Sequence, residues 1–581
     1  MKESKAEMLK QVEETLSKAQ EHLLARRNAA GHWEGTLSSS ALSTATAIVA
    51  LQLIDPHQHG NAVQRGLQWL RLHQNEDGGF GDTTSSFSNL STSMLCWAAF
   101  GLCRTSESRE SERTSRWIER HCGSLQPGVL AEKVAALYGQ DRTFSVPIVM
   151  TCAIGGRLGT PAEAWRLVMP LPFELAALPQ KTFARLRLPV VSYALPALIA
   201  IGQARFHHAP PKPPLRWLRH AAVARTRRRL NKIQPASGGY LEATPLTSFV
   251  AMALASCGWK NDPTVRTAEK FLVSSQRPDG SWPIDTNLAT WVTTLSVKAL
   301  GGRFPGAEVV RDWLLGQQYQ AVHPYTDSPP GGWAWTNLTG GVPDADDTAG
   351  ALVALKHLAP GEVSAASRAV KWLLDLQNRD GGIPTFCRGW GALPFDRSAP
   401  DLTAHAIRAW VGWMSSLDAK TRGQINHARD RAMIYLKAQQ QPDGAWLPLW
   451  FGNQHRHDET NPTYGTAMVC LALPPHDPMR LRGVDWLLRN QQPDGGWGGG
   501  ISTPSSIEET SLALSALATE GDCHALRRGI RWLIEHTENG TFFPPAPIGF
   551  YFARLWYCED LYPVIWAVGA LQAARKQLGH R

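Results

Sequence analysis

Apolar residues recur along most of the chain with the spacing of amphipathic helices. Segments such as Thr348–Leu358 and Thr466–Leu473 place them three and four residues apart, which predicts helices with one buried face. Between such segments one pattern returns five times. A Leu stands four residues before a Gln, and a short turn follows that contains Asp-Gly and ends on a large apolar residue. The copies are Trp69–Phe80, Phe271–Trp282, Trp372–Ile383, Tyr435–Trp446 and Trp486–Trp497.

Each residue type in this repeat suits a structural task. Asp-Gly supplies the positive φ that the turn needs, the Gln amide can bridge backbone groups, and the ring can pack over the helix end. Weaker copies occur at Gly31–Trp33, Trp313–Gln318 and Trp532–Phe543. Successive Gln residues are roughly 40 to 60 residues apart, which leaves room for two helices per unit. The repeat therefore predicts helix pairs arranged as an α/α toroid with a central cavity.

Composition narrows the class of protein further. With 581 residues, 43% of them hydrophobic and 19% charged, the chain is long enough for two or three domains and is not disordered. The nine cysteines include no C-x-x-C pair, which favours a reducing compartment and no structural zinc. The first residues continue into a charged amphipathic pattern instead of a signal peptide. We therefore expect the protein on the cytosolic side.

An apolar stretch and a basic stretch lie close together in the middle of the first half. Leu188–Gly202 contains two prolines and is shorter than the ~18 residues of a spanning helix. Arg216–Arg229 concentrates the positive charge of a chain whose net charge is +9. The pair is typical of a segment that dips into an anionic membrane face, and equally of a buried helix beside a solvated basic face. The sequence shows no nucleic-acid-binding module.

Three aspartates crowd the start of one predicted helix. Asp344, Asp346 and Asp347 follow Pro343, which marks where the helix begins. Capping of the helix and compensation of its dipole explain one or two of them. The other interpretation is that like charges and an apolar wall keep Asp346 protonated at neutral pH, so that it can act as a strong general acid.

A second element favours the catalytic interpretation. Asp401 and His405 are four residues apart, on one face of a predicted helix, where the carboxylate can orient the imidazole. A lone His on an apolar helix is more often a core residue. With its own carboxylate partner, this His could instead hydrogen-bond the catalytic acid and pass a proton back after turnover.

Taken together, these motifs resemble one family. The repeats, the D-x-D-D-T-A motif at residues 344–349 and the D-x-T-A-H motif at residues 401–405 look like those of the squalene-hopene cyclase family of class II terpene cyclases. The similarity extends from Gly31 to Pro563. The combination is far more specific than any of its motifs alone.

The resemblance implies a role for each motif residue. Asp346 would protonate a terminal alkene, with Asp344 and Asp347 as flanking carboxylates, His405 as its partner and Asp401 beside that histidine. Related oxidosqualene cyclases carry the acid in a D-C-T-A context, whereas this chain has D-D-T-A, which favours an isoprenoid alkene over an epoxide. Such a reaction requires no metal and no redox cofactor.

On this basis we expect an all-α protein of two α/α barrels with a cavity between them. The expected divisions are an N-terminal helix in residues 1–20 packed on the C-terminal barrel, an N-terminal barrel in 21–275 and a C-terminal barrel with the acid in 276–581. The resemblance also implies monotopic attachment to the cytoplasmic face of a membrane, and often a homodimer. Leu188–Gly202 is the expected membrane segment.

Carbocations require stabilisation without nucleophiles, so aromatic faces should line the cavity. For each candidate the alternative is an ordinary place in the core. The position of Trp335 just before the acid motif, and of Phe550 in a C-terminal aromatic cluster, favours lining for these two. The candidates are Trp333, Trp335, Trp450, Phe451, Phe550, Tyr551 and Tyr557.

Three departures from the family pattern concern the substrate. Gly341-Val342 stand in place of an aromatic pair, which should open space near the acid. Trp450–Gln454 replaces a W-F-G-R-W motif, and Arg554 replaces a Tyr. The next segment, His455–Glu459, is charged, but adjacent loop residues are poor metal ligands, which favours a solvated loop.

Three functions remain open from the sequence. The first is cyclisation of squalene or a related linear polyprenyl. The second is cyclisation of a prenyl diphosphate or a prenylated aromatic, for which Arg456 and Arg554 would have to face the cavity. The third is a toroid that only binds a lipid or peptide, or a protein prenyltransferase subunit, which would need a zinc set of Asp, Cys and His that the sequence does not offer.

Overall fold

The computed structural model describes residues 5–104, 108–139, 142–178, 182, 194–386, 395–521, 523–550 and 555–579. Most of the regular structure in these ranges is α-helical. The helices of the first half are α1 (Lys5–Ala25), α2 (Ala41–Ile54), α3 (Gly60–Leu72), α4 (Leu90–Leu102), α5 (Arg109–Cys122), α6 (Pro127–Tyr138), α7 (Arg142–Ile154), α8 (Pro161–Leu167), α9 (Leu195–His208), α10 (Leu215–Lys232), α11 (Thr244–Ser256) and α12 (Pro263–Ser274). Those of the second half are α13 (Ala289–Leu300), α14 (Ala307–Gly316), α15 (Ala345–Leu358), α16 (Val363–Leu376), α17 (Pro400–Trp413), α18 (Ala419–Gln439), α19 (Pro462–Cys470), α20 (Pro478–Arg489), α21 (Ile507–Leu517), α22 (His524–His536) and α23 (Tyr562–Gly579).

The helices form two closed rings, each with an inner and an outer layer. In the N-terminal ring the inner helices are α2, α4, α7, α9 and α11, and α11 packs back onto α2. In the C-terminal ring they are α13, α15, α17, α19, α21 and α23, and α23 packs back onto α13. The inner helices are buried along most of their length because ring neighbours and outer helices cover them. The predicted all-α class with two α/α barrels is confirmed.

The Gln of each repeat joins its own turn to the neighbouring outer helix. In one copy, Nε2 of Gln377 donates to the carbonyl of Gly381 at 2.8 Å and to the carbonyl of Ala428 on α18 at 2.8 Å. Gly381 has a φ of +92°, as the Asp-Gly turn predicts. The same pair of hydrogen bonds is made by Gln74, Gln276, Gln440 and Gln491.

The last residue of each turn is attached to an inner helix through a hydroxyl group. The ring Nε1 of Trp446 donates to the carbonyl of Leu436 at 2.8 Å, and its main-chain N–H donates to Oγ1 of Thr466 at 3.0 Å. Each hydroxyl satisfies a buried N–H group that would otherwise lose its hydrogen bond on folding. Equivalent pairs are Phe80 with Ser93, Trp282 with Thr44, Trp333 with Thr348, Ile383 with Thr403 and Trp497 with Thr510. We call these groups the anchor hydroxyls.

One further copy of the repeat lies at Gln234–Tyr240, where the sequence pattern is too weak to identify it. Nε2 of Gln234 donates to the carbonyls of Gly238 and Thr264, both at 3.1 Å. The main-chain N–H of Tyr240 donates to Oγ1 of Thr247 at 3.0 Å. The copy lacks the Asp of the motif, yet it forms the same contacts.

The first helix completes the C-terminal ring. α1 packs against α23 and α22, and Arg26 forms an ion pair with Asp560. The main-chain N–H of Trp33, which follows α1, donates to Oγ1 of Thr293 in α13 at 3.1 Å. Trp282, which follows α12, is anchored to α2 and closes the N-terminal ring. The chain therefore begins in one ring, builds the other, and then returns.

Short antiparallel strands lie where the two rings meet. β1 (Ser39–Ser40) pairs with β2 (Trp282–Pro283), so that Ser40 faces Trp282. β3 (Ile548–Phe550) pairs with β4 (Leu555–Tyr557), so that Gly549 faces Trp556. The ring contact is also made by Asp82, whose carboxylate accepts the main-chain N–H of Trp556 at 2.7 Å. The inner-helix N-termini of both rings therefore face this interface.

The predicted membrane segment has a different place in the fold. Residues 188–193 lie outside the described residues, and residues 195–202 form the start of inner helix α9, where every side chain is buried. The ring therefore encloses residues 195–202 of the segment. Among the helices in the described ranges, none combines the length and the hydropathy of a membrane-spanning segment.

Candidate active site

The aspartates of the D-x-D-D motif occupy the first turn of inner helix α15. Asp344 is the N-cap residue, and its Oδ1 accepts the main-chain N–H of Asp347 at 2.9 Å. The cap interpretation is therefore correct for Asp344. Asp346 is left free of this task, and its side chain points toward α17.

Asp346 and His405 form the central contact of the site. Nδ1 of His405 lies 2.6 Å from Oδ1 of Asp346. The histidine side chain is 2% exposed, whereas the Asp346 side chain is 15% exposed. Asp344, Asp347 and Asp401 are all buried. Asp346 is therefore the carboxyl of these four that both contacts the histidine and keeps an accessible surface.

Burial changes the protonation of the surrounding groups. It raises the pKa of Asp344 to about 7 and that of Asp347 well above its usual value. It also raises the pKa of Asp401 to about 7, with the nearby Asp346 charge as the second cause. Burial lowers the pKa of His405. The flanking carboxyls thus favour their neutral forms, which limits the repulsion between four acids in one place.

Asp401 does not orient His405 in the way that the spacing suggested. Its Oδ1 accepts the main-chain N–H of Leu449 at 3.3 Å, while its Oδ2 is buried and has no hydrogen-bond partner among the described residues. The hydrogen bond of His405 Nδ1 goes to Asp346 instead. Residues four apart on a helix share a face, but these two side chains bond to different neighbours.

The imidazole of His405 is enclosed by two features that the sequence did not indicate. The ring of Trp291 on α13 meets it edge to face, with centroids 6.2 Å apart. On the other side, a Cβ added to Gly350 would lie 3.5 Å from Cε1 of His405 and 2.9 Å from Oγ1 of Thr294. The missing side chain lets the imidazole lie close to helix α15.

Most of the predicted aromatic residues are brought together beside the acid. Trp450 contacts Phe550 at a centroid distance of 4.5 Å, and Phe550 contacts Tyr557 at 5.6 Å. Trp335 reaches the same group through Phe386, whose ring is 6.2 Å from Trp335 and 6.1 Å from Trp450. Trp335, Trp450 and Phe550 are only partly buried. Such exposure fits side chains that line a space.

A second aromatic group lies deeper in the C-terminal ring. Phe451 stacks on Tyr464 at 4.2 Å and faces Trp291 at 6.5 Å. Tyr562 and Trp566 stack at 4.9 Å, and Tyr562 joins the first group through Tyr557 at 6.2 Å. The sequence missed Trp291, Phe386, Tyr464, Tyr562 and Trp566, because aromatic residues inside apolar helices resemble core residues in any pattern.

Two predicted lining residues fall outside these groups. Trp333 is fully buried and occupies the position of a repeat tryptophan. Its Nε1–H donates to the carbonyl of Leu314 at 2.8 Å. This position does not support the prediction that Trp333 lines the cavity. Tyr551 lies outside the described residues, as does Arg554.

The departures from the family pattern also have definite places. The carbonyl of Gly341 accepts hydrogen bonds from the Tyr319 hydroxyl at 2.8 Å and from the His323 ring at 3.1 Å. A Cβ added to Gly341 would lie 2.9 Å from Cγ2 of Thr336 and 3.0 Å from Cβ of Ala334, so these side chains occupy the space that the glycine was expected to open. Arg456 is paired with Asp458, with Nε 2.9 Å from Oδ1. Asp458 competes with any phosphate for this arginine.

Two acids from different rings lie beside Trp335. Asp285 accepts the Nε1–H of Trp335 at 3.1 Å, and Glu242 accepts the main-chain N–H of Gly340 at 2.7 Å. Burial is the main reason that the pKa of each is raised. This side of the site is acidic.

The acid–histidine pair, the aromatic groups and the two helical rings agree with what the family models find. The family model of the squalene-hopene cyclase C-terminal domain matches residues 285–576, and the model of the N-terminal domain matches residues 16–151. The chain belongs to the squalene-hopene cyclase family.

Relatives of this chain are named for different activities. A squalene–hopene cyclase of Bradyrhizobium diazoefficiens is 30% identical over an alignment 314 residues long, which covers 46% of this chain and 45% of that protein. Drimenyl diphosphate synthase of Streptomyces showdoensis is 26% identical over an alignment 330 residues long, which covers 53% of this chain and 55% of that protein. The matched parts thus span about half the length of these relatives.

A solved structure matches over nearly the whole chain. ent-Copalyl diphosphate synthase from Streptomyces platensis superposes with a TM-score of 0.61 at 18% identity, covering 97% of this chain and 99% of that one. At this identity the match shows a shared fold.

Proposed function

We propose that this member of the squalene-hopene cyclase family is a class II terpene cyclase that protonates a terminal alkene of a linear isoprenoid such as squalene. The observation that carries the proposal is the Asp346–His405 contact of 2.6 Å, which opens onto a group of aromatic rings. A toroid that only binds lipid has no use for a partly accessible acid with its own histidine.

The first step transfers one proton. The π electrons of the alkene take the proton of the Asp346 carboxyl, a new C–H bond forms, and a tertiary carbocation and the Asp346 carboxylate result. The hydrogen bond to His405 supports the carboxylate and offers a path by which a proton returns after turnover. Each later ring closure moves the cation along the chain, until loss of a proton or capture of water ends the reaction.

The aromatic groups have the second role. Faces of Trp335, Trp450 and Phe550 offer electron density to a passing cation without bonding to it. We expect Trp335→Ala to release products with fewer rings, because a cation that loses its stabilisation is quenched early. Gas chromatography with mass detection would reveal these products, and an unchanged product profile would make Trp335 a packing residue.

The second candidate substrate is a prenyl diphosphate, which the relative that synthesises drimenyl diphosphate supports. Against it stand the acids Glu242 and Asp285 beside Trp335 and the pairing of Arg456 with Asp458. In their charged forms these two carboxyl groups would repel an anionic head group. We therefore place the hydrocarbon first.

The deciding experiment compares wild type with Asp346→Asn, which keeps the shape of the side chain but cannot donate a comparable proton. Detergent-solubilised enzyme is incubated with squalene and, separately, with farnesyl and geranylgeranyl diphosphate. A cyclic product from squalene that only wild type makes supports the proposal. Products from the diphosphates alone would favour the second candidate substrate. Equal products from wild type and Asp346→Asn would refute the role of Asp346 as the acid.

We further propose attachment to the cytoplasmic face of a membrane, through a different surface from the predicted segment. Trp217 and Leu218 on α10 are 69% and 59% exposed, and the neighbouring 3-10 helix Phe173–Ala177 exposes Leu175. The ion pair between Arg219 and Glu174 holds the two elements together. Such an apolar patch beside exposed arginines suits an anionic lipid surface.

Sedimentation with anionic vesicles tests this attachment. We expect the double variant Trp217→Gln and Leu218→Gln to bind vesicles several-fold more weakly than wild type. Ile434→Gln is the matched control, because Ile434 is 68% exposed on the outer helix α18 of the other ring. Equal binding by wild type and the double variant would refute the assignment. A homodimer, which the resemblance implies, is a separate proposal that light scattering of the purified protein can test.

A further inference from the structure

A buried glutamate on inner helix α21 holds together the two ends of one loop. Oε1 of Glu509 accepts a hydrogen bond from Nδ2 of Asn453 at 3.0 Å and another from Nδ2 of Asn461, also at 3.0 Å. Its Oε2 accepts a hydrogen bond from the hydroxyl of Ser506. Glu509 and both asparagines are buried. A single carboxylate oxygen therefore joins the residues that stand before and after the loop of residues 454–460.

The orientation of both amides is fixed by the contacts of their oxygen atoms. Oδ1 of Asn453 accepts the main-chain N–H of His455 at 3.0 Å, and Oδ1 of Asn461 accepts the main-chain N–H of Tyr464 at 3.1 Å. Each amide therefore has to present its Nδ2 to Glu509. A buried donor needs an acceptor, and the carboxylate supplies one to both asparagines.

Capping of α21 does not explain this glutamate. Residues 506–509 read Ser-Ile-Glu-Glu, which is the pattern of a capping box, in which the glutamate accepts the main-chain N–H of the N-cap residue. Here the main-chain N–H of Ser506 donates to the carbonyl of Trp497 at 3.0 Å instead. The Ser506 hydroxyl caps the helix by accepting the main-chain N–H of Glu509 at 3.1 Å. The carboxylate of Glu509 serves the two asparagines.

The two asparagines adjoin the aromatic groups of the candidate active site. Asn453 lies two residues after Phe451, and Asn461 is the N-cap of α19. The same helix carries Tyr464, whose ring stacks on Phe451 at 4.2 Å. Trp450, the residue before Phe451, is one of the partly buried rings beside the acid. Glu509 thus joins the two chain segments that carry these rings.

We propose that Glu509 is a positioning residue, which fixes the place of Trp450 and Phe451 in the site and so decides how far the cyclisation proceeds. This inference rests on the proposed function. A ring stabilises a cation only at a suitable distance and angle, so the rings have to be held in place. Attachment of both segments to one buried oxygen restricts their movement. Proton transfer remains the task of Asp346.

Glu509→Met and Glu509→Gln are the matched pair of variants that tests the proposal. The thioether of Met is a weak acceptor, whereas Gln keeps an oxygen that can accept both amides. In Glu509→Met we expect the fraction of products with fewer rings to rise about tenfold, because loss of a buried acceptor changes competing barriers enough for this. Glu509→Gln should keep the wild-type profile. Gas chromatography with mass detection measures the fractions.

Two controls separate positioning from a loss of stability. Gln491→Ala removes two hydrogen bonds to carbonyls in the same ring and should lower Tm without a change of products. Gln454→Ala removes two hydrogen bonds between the loop and the N-terminal ring. It should also keep the wild-type profile, because the attachment through Glu509 remains.

Asn453→Ala keeps the test valid if Glu509→Met does not fold. It removes one of the two amides and should shift the products in the same direction by a smaller factor. A wild-type profile in every folded variant of Glu509 and Asn453 would overturn the proposal. So would an equal shift of products in Glu509→Gln or in either control.

A readout without substrate makes the outcome independent of the proposed function. In protein labelled with 5-fluorotryptophan, the 19F NMR signal of Trp450 is assigned by its absence in Trp450→Phe. This signal should shift or broaden in Glu509→Met and Asn453→Ala, and it should stay in place in Glu509→Gln and in both controls. An unmoved signal in Glu509→Met would overturn the inference even in an active enzyme. A wild type that forms no cyclic product would instead overturn the proposed function.

Discussion

The two rings share one scaffold but differ at the first turn of their inner helices. In the N-terminal ring α2 begins Ala-Leu-Ser-Thr and α4 begins Leu-Ser-Thr-Ser, where the fourth residue is the anchor hydroxyl. In the C-terminal ring α15 begins Ala-Asp-Asp-Thr, α17 Pro-Asp-Leu-Thr and α21 Ile-Glu-Glu-Thr, again with the anchor fourth. In these three helices of the C-terminal ring acids thus occupy one or both of the two positions before the anchor, where α2 and α4 have neutral residues.

A structural repeat has acquired reactive groups here without losing its scaffold. The anchor hydroxyl fixes the first turn of each inner helix at the ring interface, so the two preceding side chains are presented there in a constant geometry. Thr348 and Thr403 belong to the scaffold, although they stand inside the motifs that identify the family. The neighbouring acids supply the reactive groups. Substitutions at corresponding places in the two rings test this division of roles.

The largest effect is expected from the acid itself. Asp346→Asn should lower turnover to below about 1% of wild type, because an amide cannot donate a comparable proton. The matched change in the other ring is Asp82→Asn, which alters a buried acid that accepts hydrogen bonds from Asn89 and Trp556. It should lower Tm and leave turnover per folded molecule near wild type. Equal activity losses in both variants would erase the functional difference between the rings.

A smaller loss is expected at His405. His405→Ala should reduce turnover by about 10²-fold, because Asp346 loses its hydrogen-bond partner and the carboxylate is less supported. Steady-state rates with the active substrate, measured beside the circular dichroism spectrum, check this. A wild-type rate would show that His405 is only a core residue.

The Gln residues should behave alike in both rings. Gln377→Ala in the C-terminal ring and Gln74→Ala in the N-terminal ring each remove two hydrogen bonds to carbonyls. Each should cost about 1–3 kcal/mol of unfolding free energy. Urea denaturation measures the cost, and the turnover of the folded fraction should stay constant. A loss confined to one ring would show that the scaffold is not shared.

The smallest effect is a change of stability with pH. The folded state raises the pKa of Asp401 to about 7, so this group favours folding below its ordinary pKa of about 4 and loses that contribution as pH rises to about 7. Asp401→Asn should therefore raise Tm relative to wild type at pH 8 more than at pH 5. A Tm difference that does not vary with pH would contradict the neutral form of Asp401.

The sequence predicts the parts of the molecule that repeat or that carry rare chemistry. Spacing revealed the Gln turns, and the crowding of Asp344, Asp346 and Asp347 pointed to the acid. The anchor hydroxyls cannot be recognised from sequence, because Thr and Ser are common in helices and their partners are main-chain N–H groups. The copy at Gln234–Tyr240 was missed because it lacks the Asp.

Contacts across the ring could not be predicted from local patterns. Trp291 lies against His405 only because α13 and α17 belong to the same closed ring. The apolar run that ends at Gly202 looked suitable for a membrane, but ring packing buries its described part as an inner helix.

The return of the chain to its first helix has a consequence for synthesis. α1 leaves the ribosome before every other described element, yet Arg26 meets Asp560, which lies 534 residues later. The N-terminal ring can close as soon as Trp282 reaches Thr44, whereas the second ring must wait for α23. During that interval α1 is an unpartnered amphipathic helix that chaperones can hold. Folding on the ribosome should therefore begin with the N-terminal ring, and α1 and α23 should be the last described helices to become resistant to protease.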